Sequence, residues 1–367
     1  MRADHRRDVS AHSSDLVGEM ISAVGCLAAE HDCILLDLDG TVYRGAEPVE
    51  GAVATLAEIG VRTLFVTNNA ARSPGQVAER MRQMGFSLGD DDVVTSAQIA
   101  ARLLASRLSV GTPVLIVGTD ALAAEVDSVG LRAVRSAAEG AAAVVQGHSP
   151  RTGWTDLAEA ALTIRRGALW VATNVDHTLP TERGLLPGNG SLVAALHAAT
   201  GLEPEVAGKP QPAILRDAIA RGPFDSPLVV GDRLDTDIAS AHAAGLPSLL
   251  VCSGVGTVRD LLAAPAEHRP TYVAPDIRGL TYPAARTRVC QQPHWRVNVV
   301  GGTATVTSTG IPVECDGLSI VRAAAHAVWQ VTPSGRTPVV IAGDDSARAA
   351  LEAVDLGGLA AAAQPRL

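Results

Sequence analysis

The sequence predicts an α/β fold: a parallel sheet covered by helices, with a small α+β appendage near the C-terminal end. Three observations carry this expectation. Short aliphatic runs alternate with amphipathic stretches along most of the 367 residues, and a βαβα rhythm builds parallel sheets. The runs are apolar on both faces and bounded by turn residues, as buried parallel strands are. Hydrophobic residues make up 47% of the chain and charged residues 19%, which supplies a large core and excludes a disordered chain.

Strands are expected at Cys33–Leu38, Arg62–Thr67, Pro113–Val117, Ala142–Gln146, Ala168–Ala172, Pro227–Val230 and Pro247–Cys252, each a short aliphatic run. Helices are expected between them at Glu50–Ile59, Gly75–Met84, Ser96–Arg107, Asp156–Arg166, Gly190–Ala199 and Pro212–Arg221. The rhythm changes near residue 285. The Pro-containing stretch Ala274–Pro283 reads as a linker. Beyond it, the alternation over His294–Ser308, broken by Gly301-Gly302, reads as a β-hairpin. A helix at Leu318–Gln330, a strand at Pro338–Ala342 and a helix at Ser346–Val354 with Asp345 as its N-cap complete a small separate unit over residues 286–367. No internal repeat is visible.

Composition narrows the function. A net charge of −9 argues against a nucleic-acid-binding surface. The longest apolar stretches, such as Cys33–Leu36 and Pro247–Cys252, are strand-sized, well short of the ~20 residues a spanning helix needs. Residues 1–20 mix charges with Ser and His, lack a secretory h-region, and are expected to be flexible. The five cysteines, Cys26, Cys33, Cys252, Cys290 and Cys315, form no C-x-x-C pair. That pattern points to free thiols in a reducing cytoplasm, with no zinc or disulfide framework.

The segment richest in chemistry is a strand ending in Asp37 and Asp39, followed at once by Gly40-Thr41. Ligands of open α/β sheets bind outside the carboxyl ends of strands. Two residues apart, the carboxylates would share one side of a regular strand, and such a pair needs a cation or a proton. Gly40 allows a sharp turn that aims backbone amides at an anion. A second acidic group, Asp232, Asp235 and Asp237, follows another aliphatic run and offers oxygen ligands suited to Mg2+. Thr67-Asn68-Asn69 ends a third strand with groups suited to an oxyanion, and Gly208-Lys209-Pro210 holds a lysine in a restricted loop. Each alone is also compatible with an ordinary turn or helix cap.

Together, and in this order, these segments resemble the four motifs of the haloacid dehalogenase superfamily: Asp37-x-Asp39-Gly40-Thr41, then Thr67, then Lys209, then Gly231-Asp232 through Asp237. The resemblance covers residues 30–280 and is closest to the branch with a large α/β cap inserted between the second and third motifs. Tyr43-Arg44-Gly45, Ala172-Thr173-Asn174 and Leu186-Pro187-Gly188 are similar to segments of the phosphoglycolate, glycerol-phosphate and pyridoxal-phosphate phosphatases of that branch. It implies a Rossmann-like core over 21–84 and 185–284, a cap over 85–184, and an accessory unit of unknown role over 286–367.

The resemblance also implies roles. Asp37 would attack phosphorus and form an aspartyl-phosphate. Asp39 would protonate the leaving oxygen and then deprotonate water. Asp37, the Asp39 carbonyl and Asp232 would hold Mg2+, with Asp237 behind them. Gly40, Thr67, Asn68, Asn69 and Lys209 would bind the phosphoryl oxygens. The second acid, Asp39, favours phosphoryl transfer over carbon–halogen cleavage.

The cap would select the substrate by closing over the core. Its candidate loop is Gln146–Trp154, where Gly147-His148-Ser149 stands in place of the Gly-x-Asp of relatives. His148 and Arg151 are candidates to meet a substrate tail, with His177 and Arg183 weaker ones. A small phosphorylated metabolite is expected, glycerol 3-phosphate or 2-phosphoglycolate first, then pyridoxal phosphate or a nucleotide. A phosphotransferase using the same intermediate and a non-catalytic binding protein on the same scaffold are the alternatives, and intact Asp37, Asp39, Lys209 and Asp232 speak against the latter. Walker A, dinucleotide and Gly-x-Ser-x-Gly patterns all fail. The terminal unit suggests packing, oligomer contact, ligand sensing or an incomplete acyltransferase-like module. A homodimer through the cap is expected by resemblance.

Overall fold

The computed structural model describes residues 25–181, 183–312, 316–331 and 338–356. The segment 1–20 and Cys315 lie outside them. The chain opens with β1 (Cys33–Leu36), a short hairpin of β2 (Tyr43–Arg44) and β3 (Glu47–Pro48), β4 (Arg62–Thr67) and β5 (Val93–Thr95). There follow β6 (Pro113–Val117), β7 (Arg132–Val134), β8 (Ala143–Gln146), β9 (Leu169–Ala172), the hairpin β10 (Thr178–Thr181) and β11 (Gly184–Pro187), and β12 (Glu205–Val206). The chain then runs through β13 (Pro227–Gly231), β14 (Ser248–Val251), β15 (Tyr272–Ala274), β16 (Trp295–Val300), β17 (Thr303–Ser308) and β18 (Val339–Ala342).

Two parallel sheets carry the architecture. The first is six-stranded in the order β15-β14-β13-β1-β4-β5, and the second five-stranded in the order β12-β9-β8-β6-β7. Every residue of β1 and β13 is buried, as their unbroken aliphatic sequences require for strands covered on both faces. Because β1 lies between β13 and β4, the carboxyl ends of these three strands sit side by side.

The strand pairing corrects the expected division at 85 and 184. Val93–Thr95 pairs with Phe65–Thr67 in the first sheet, so that unit continues at least to Thr95. Glu205–Val206 pairs with Val171–Ala172 in the second, and the helix Asn189–Thr200 buries Val193 and Leu196 with Val144 and Trp170. The cap therefore extends to β12. Strands of two or three residues leave too short an apolar run to be seen in sequence.

Three further expectations change. The first strand stops at Leu36 instead of Leu38: the amides of Thr41, Val42 and Tyr43 converge on the Leu38 carbonyl in a tight turn, so Asp37 and Asp39 stand beyond the regular strand. Ala274–Pro283 is not a linker. Its Ile277 and Leu280 are fully buried beside Leu27 and Tyr272, and the Tyr282 carbonyl accepts the Leu27 amide at 2.7 Å. The terminal unit is not separate either: Trp295, Val306, Val321 and Val328 share one apolar cluster with Leu250, Leu261 and Val273 of the first unit.

Within that unit the expected hairpin is present, and Gly301 (φ 59°) and Gly302 (φ 85°) supply the two left-handed residues of its turn. Arg322, 1% exposed, pairs with Asp316 at 2.7 Å and donates to the Val273 carbonyl of β15 at 3.1 Å. The last helix, Asp345–Ala353, is capped by Asp344, which accepts the Ala347 amide at 2.8 Å, and not by Asp345. No described helix is long and apolar enough to cross a membrane.

Candidate active site

The ends of β1, β4 and β13 present Asp37, Thr67 and Asp232, and Lys209 reaches them from the turn that follows β12. Lys209 is 3% exposed. Its Nζ lies on the Asp37 carboxylate, 2.7 Å from Asp237 Oδ1, and donates to the Val66 carbonyl at 2.9 Å. Burial alone would lower the Lys209 pKa, but Asp237 and Asp37 outweigh it and hold the ammonium above its ordinary value.

Asp37, Asp232 and Asp237 bring one carboxylate oxygen each within 4.8 Å of one another. Burial raises Asp37 well above the usual carboxyl range; Lys209 opposes the shift, and Asp237 and Asp232 add to it. Asp232 is pushed up to about 6, first by burial and then by Asp237, against the Val255 amide at 2.7 Å, Lys209, and the Thr41 hydroxyl at 3.2 Å. Gly40 (φ +91°) is required here, since a Cβ would stand 2.6 Å from Asp232 Oδ2.

Three carboxylates facing one ammonium leave an excess of negative charge in a site largely withdrawn from water. Three hard oxygen donors with surplus negative charge fit Mg2+. Asp37, Asp232 and Asp237 are the residues that would hold it. Among the described residues the Asp39 carboxylate is not in this cluster.

Asp39 reaches solvent, while its neighbours withdraw enough water to raise its carboxyl against the pull of Arg80, Lys209 and Arg72. Arg80 lies over the Tyr43 ring at 5.2 Å and donates to the Gly45 carbonyl, tying the β2–β3 hairpin beside Asp39 to the helix Pro74–Gln83. Buried Thr67 accepts the Asn69 amide at 3.0 Å, leaving its hydroxyl proton to donate elsewhere. Asn69 closes the turn by accepting the Ala71 amide at 2.9 Å.

The Asn68 side chain is committed within the protein. Its Oδ1 accepts the Lys209 amide at 2.8 Å, and its Nδ2 donates to the Lys209 carbonyl at 3.1 Å and to Asp176 Oδ2 at 3.2 Å. Any contact of Asn68 with an anion therefore falls to its backbone.

The cap candidates separate. His148 follows β8 and is half-buried, and loss of solvation lowers its pKa. A Cβ on the preceding Gly147 would meet Ala70 at 3.3 Å and Thr173 Oγ1 at 3.2 Å, so this loop lies against the turn after β4. Arg151 is exposed and 3.8 Å from Asp120, and exposed Arg183 closes the β10–β11 turn through its amide on Thr181. Neither is drawn into the carboxylate cluster. Sequence reasoning missed Asp176, Arg233, Arg72 and Arg80. Only Arg233, inside the acidic segment, and Asp176, two residues beyond Asn174, lay close to a recognisable signal.

Four motifs at adjacent strand ends, with a buried lysine among the carboxylates, define a hydrolase core that the comparisons identify. The chain belongs to the haloacid dehalogenase-like hydrolases, in their phosphatase branch. The family described as haloacid dehalogenase-like hydrolase matches residues 34–132, and a second HAD-hydrolase-like family matches 206–280. Residues 292–356 match the GCN5-related N-acetyltransferase like domain.

The D-glycerol 3-phosphate phosphatase of Mycobacterium tuberculosis is 56% identical over 333 residues, covering 89% of this chain and 94% of that protein. The crystal structure of the glycerol phosphate phosphatase from that organism in complex with magnesium superposes with a TM-score of 0.87, covering 91% of this chain and 99% of that one. An acid sugar phosphatase of Staphylococcus aureus is 37% identical over 237 residues, covering 63% of this chain and 90% of its own length. Members of this superfamily's phosphatase branch use Mg2+, and the donor set described above agrees.

Proposed function

We propose that this chain hydrolyses glycerol 3-phosphate to glycerol and inorganic phosphate through an aspartyl-phosphate at Asp37. The observation that carries the reading is Lys209 held between Asp37 and Asp237 beside Asp232. The 56% identity to a protein named for that substrate favours it over 2-phosphoglycolate.

An Asp37 oxygen bonds to phosphorus as the bond to the glycerol oxygen breaks, and Asp39 delivers its proton to that leaving oxygen. The raised carboxyl of Asp39 suits it to carry that proton. Lys209, the Thr67 hydroxyl and backbone amides of the Gly40 and Asn68 turns hold the phosphoryl oxygens as charge shifts. Asp39, now a carboxylate, takes a proton from water. The water oxygen bonds to phosphorus, and the acyl-phosphate bond breaks to restore Asp37. Bound Mg2+ supplies the positive charge that offsets repulsion between the carboxylates and the phosphate.

Phosphate release from a panel of small phosphomonoesters, with and without Mg2+, tests this reading in the natural chain and in Asp37→Asn. Release that needs the metal and disappears in Asp37→Asn is expected. Release surviving in Asp37→Asn would overturn the nucleophile.

A cytoplasmic setting is part of the reading, supported by the described free thiols Cys26, Cys33, Cys252 and Cys290. So is a homodimer through the cap, supported by Trp154 (83% exposed) and Leu185 (69%) on its surface. Sedimentation of the natural chain as a dimer and of Trp154→Asp as a monomer would support it.

A further inference from the structure

We propose that Asp176 is a positioning residue for hydrolysis, joining the turn that presents Lys209 to the turn that presents Asp237. The inference rests on the phosphatase reading above, in which Lys209 holds the phosphoryl oxygens.

Asp176 lies between β9 and β10, just past the carboxyl end of a cap-sheet strand. Its carboxylate works in two directions. Oδ2 accepts from Asn68 Nδ2 at 3.2 Å, and Oδ1 stands 3.4 Å from Arg233 Nη1. Asn68 in turn grips both backbone polar groups of Lys209, at 2.8 and 3.1 Å. The Arg233 amide donates to Asp237 Oδ2 at 3.1 Å, and Asp237 Oδ1 is the ion-pair partner of Lys209 Nζ at 2.7 Å. The contacts therefore close into a ring: Asp176, Asn68, Lys209, Asp237, Arg233 and back to Asp176. Its members come from the turn after β4, the segment after β9, the turn after β12 and the turn after β13.

Asp176 is itself held from behind. Its carbonyl accepts the Gly190 amide at 2.9 Å, and a Cβ on Gly188 would stand 2.2 Å from the same carbonyl. Its amide donates to Asn174 Oδ1 at 3.2 Å, and Asn174 donates to the Asn68 carbonyl at 2.7 Å. Arg233 is likewise pre-set, with Nε and Nη2 on Asp235 at 3.0 and 2.8 Å. A carboxylate fixed on its backbone side and engaged at both oxygens can hold two independent turns in register. Opening the ring at Asp176 leaves Lys209 and Asp237 each on its own turn, and misplacement of such groups by an ångström costs rate far more than substrate affinity.

The test compares the natural full-length chain with Asp176→Ala, Asp176→Asn, Arg233→Met and the Asp176→Ala/Arg233→Met pair, with saturating Mg2+ and glycerol 3-phosphate. Each kcat is normalised to the folded fraction from thermal melting. Asp176→Ala is expected to lower kcat by about tenfold or more with a smaller change in KM. Asp176→Asn, which keeps an acceptor for Asn68, should fall between. The pair should lose less than the product of the single losses, because both open one ring. A natural kcat in Asp176→Ala, a change confined to KM, or multiplying losses in the pair would overturn the proposal. Should Asp176→Ala lose its cooperative melt, Asp176→Asn decides alone, and a natural kcat there overturns it. Absence of phosphate release by the natural chain would overturn the phosphatase reading, whereas an active chain with an unaffected Asp176→Ala would overturn the role of Asp176 alone.

Discussion

Lys209 holds its Nζ 2.7 Å from Asp237 Oδ1 while the same nitrogen lies on the Asp37 carboxylate. One buried cation thus serves the proposed nucleophile and the metal-side carboxylate together. Lys209→Met keeps most of the aliphatic stem and removes only the charge. It should lower kcat by about a hundredfold, as loss of one oxyanion donor does. Steady-state kinetics with the melting curve recorded in parallel would check it.

Removing the metal should expose the surplus negative charge as a pH-dependent loss of stability. Asp232 titrates near 6 in the folded chain, above an ordinary carboxyl, so the folded state binds more protons than the unfolded one in that interval. Stability then falls as pH rises through about 6, and the penalty is fully present above it. In EDTA the melting temperature should drop between about pH 4, the ordinary carboxyl range, and pH 6. With Mg2+ the drop should shrink, because the cation replaces the proton. Equal pH slopes with and without Mg2+ would contradict the assignment of Asp232 as a ligand.

The terminal unit makes a prediction about stability alone. Arg322 and Asp316 are each 1% exposed and form a buried pair docked on the Val273 carbonyl. Arg322→Met leaves Asp316 charged and unpaired, which should cost about 3–5 kcal/mol, whereas replacing both partners by apolar residues should cost much less. Urea unfolding of the single and double variants would show it.

Much of the site was legible because its residues end aliphatic runs: Asp37 after β1, Thr67 at the end of β4 and Asp232 after β13 all stand where an open sheet binds ligands. The terminal hairpin was legible for a similar local reason, since Gly301-Gly302 interrupts a clear alternation. What escaped was set by tertiary placement. Asp176 and Arg233 meet across 57 positions, and nothing near either residue announces the other. Asn68 looked like an anion ligand because its type suits one, yet the fold spends its side chain on the Lys209 backbone. Ala274–Pro283 was misread because its prolines and polar residues hid Ile277 and Leu280, which are core.

His148 offers a test of how the cap chooses a substrate. Its loop lies against the turn after β4 through Gly147 and Ala70, which puts His148 on the cap segment that meets the turn following Thr67. Loss of solvation holds its pKa below the ordinary value, which favours the neutral ring. A neutral imidazole exchanges a hydrogen bond with a hydroxyl but offers no charge to a carboxylate. That favours the glycerol tail over the glycolate tail. His148→Ala should raise KM for glycerol 3-phosphate by up to about tenfold, the value of one uncharged hydrogen bond, with kcat little changed. For 2-phosphoglycolate the same substitution should change KM less, narrowing the preference between the two esters. A loss of kcat with unchanged KM would instead place His148 among the groups that serve the chemical step.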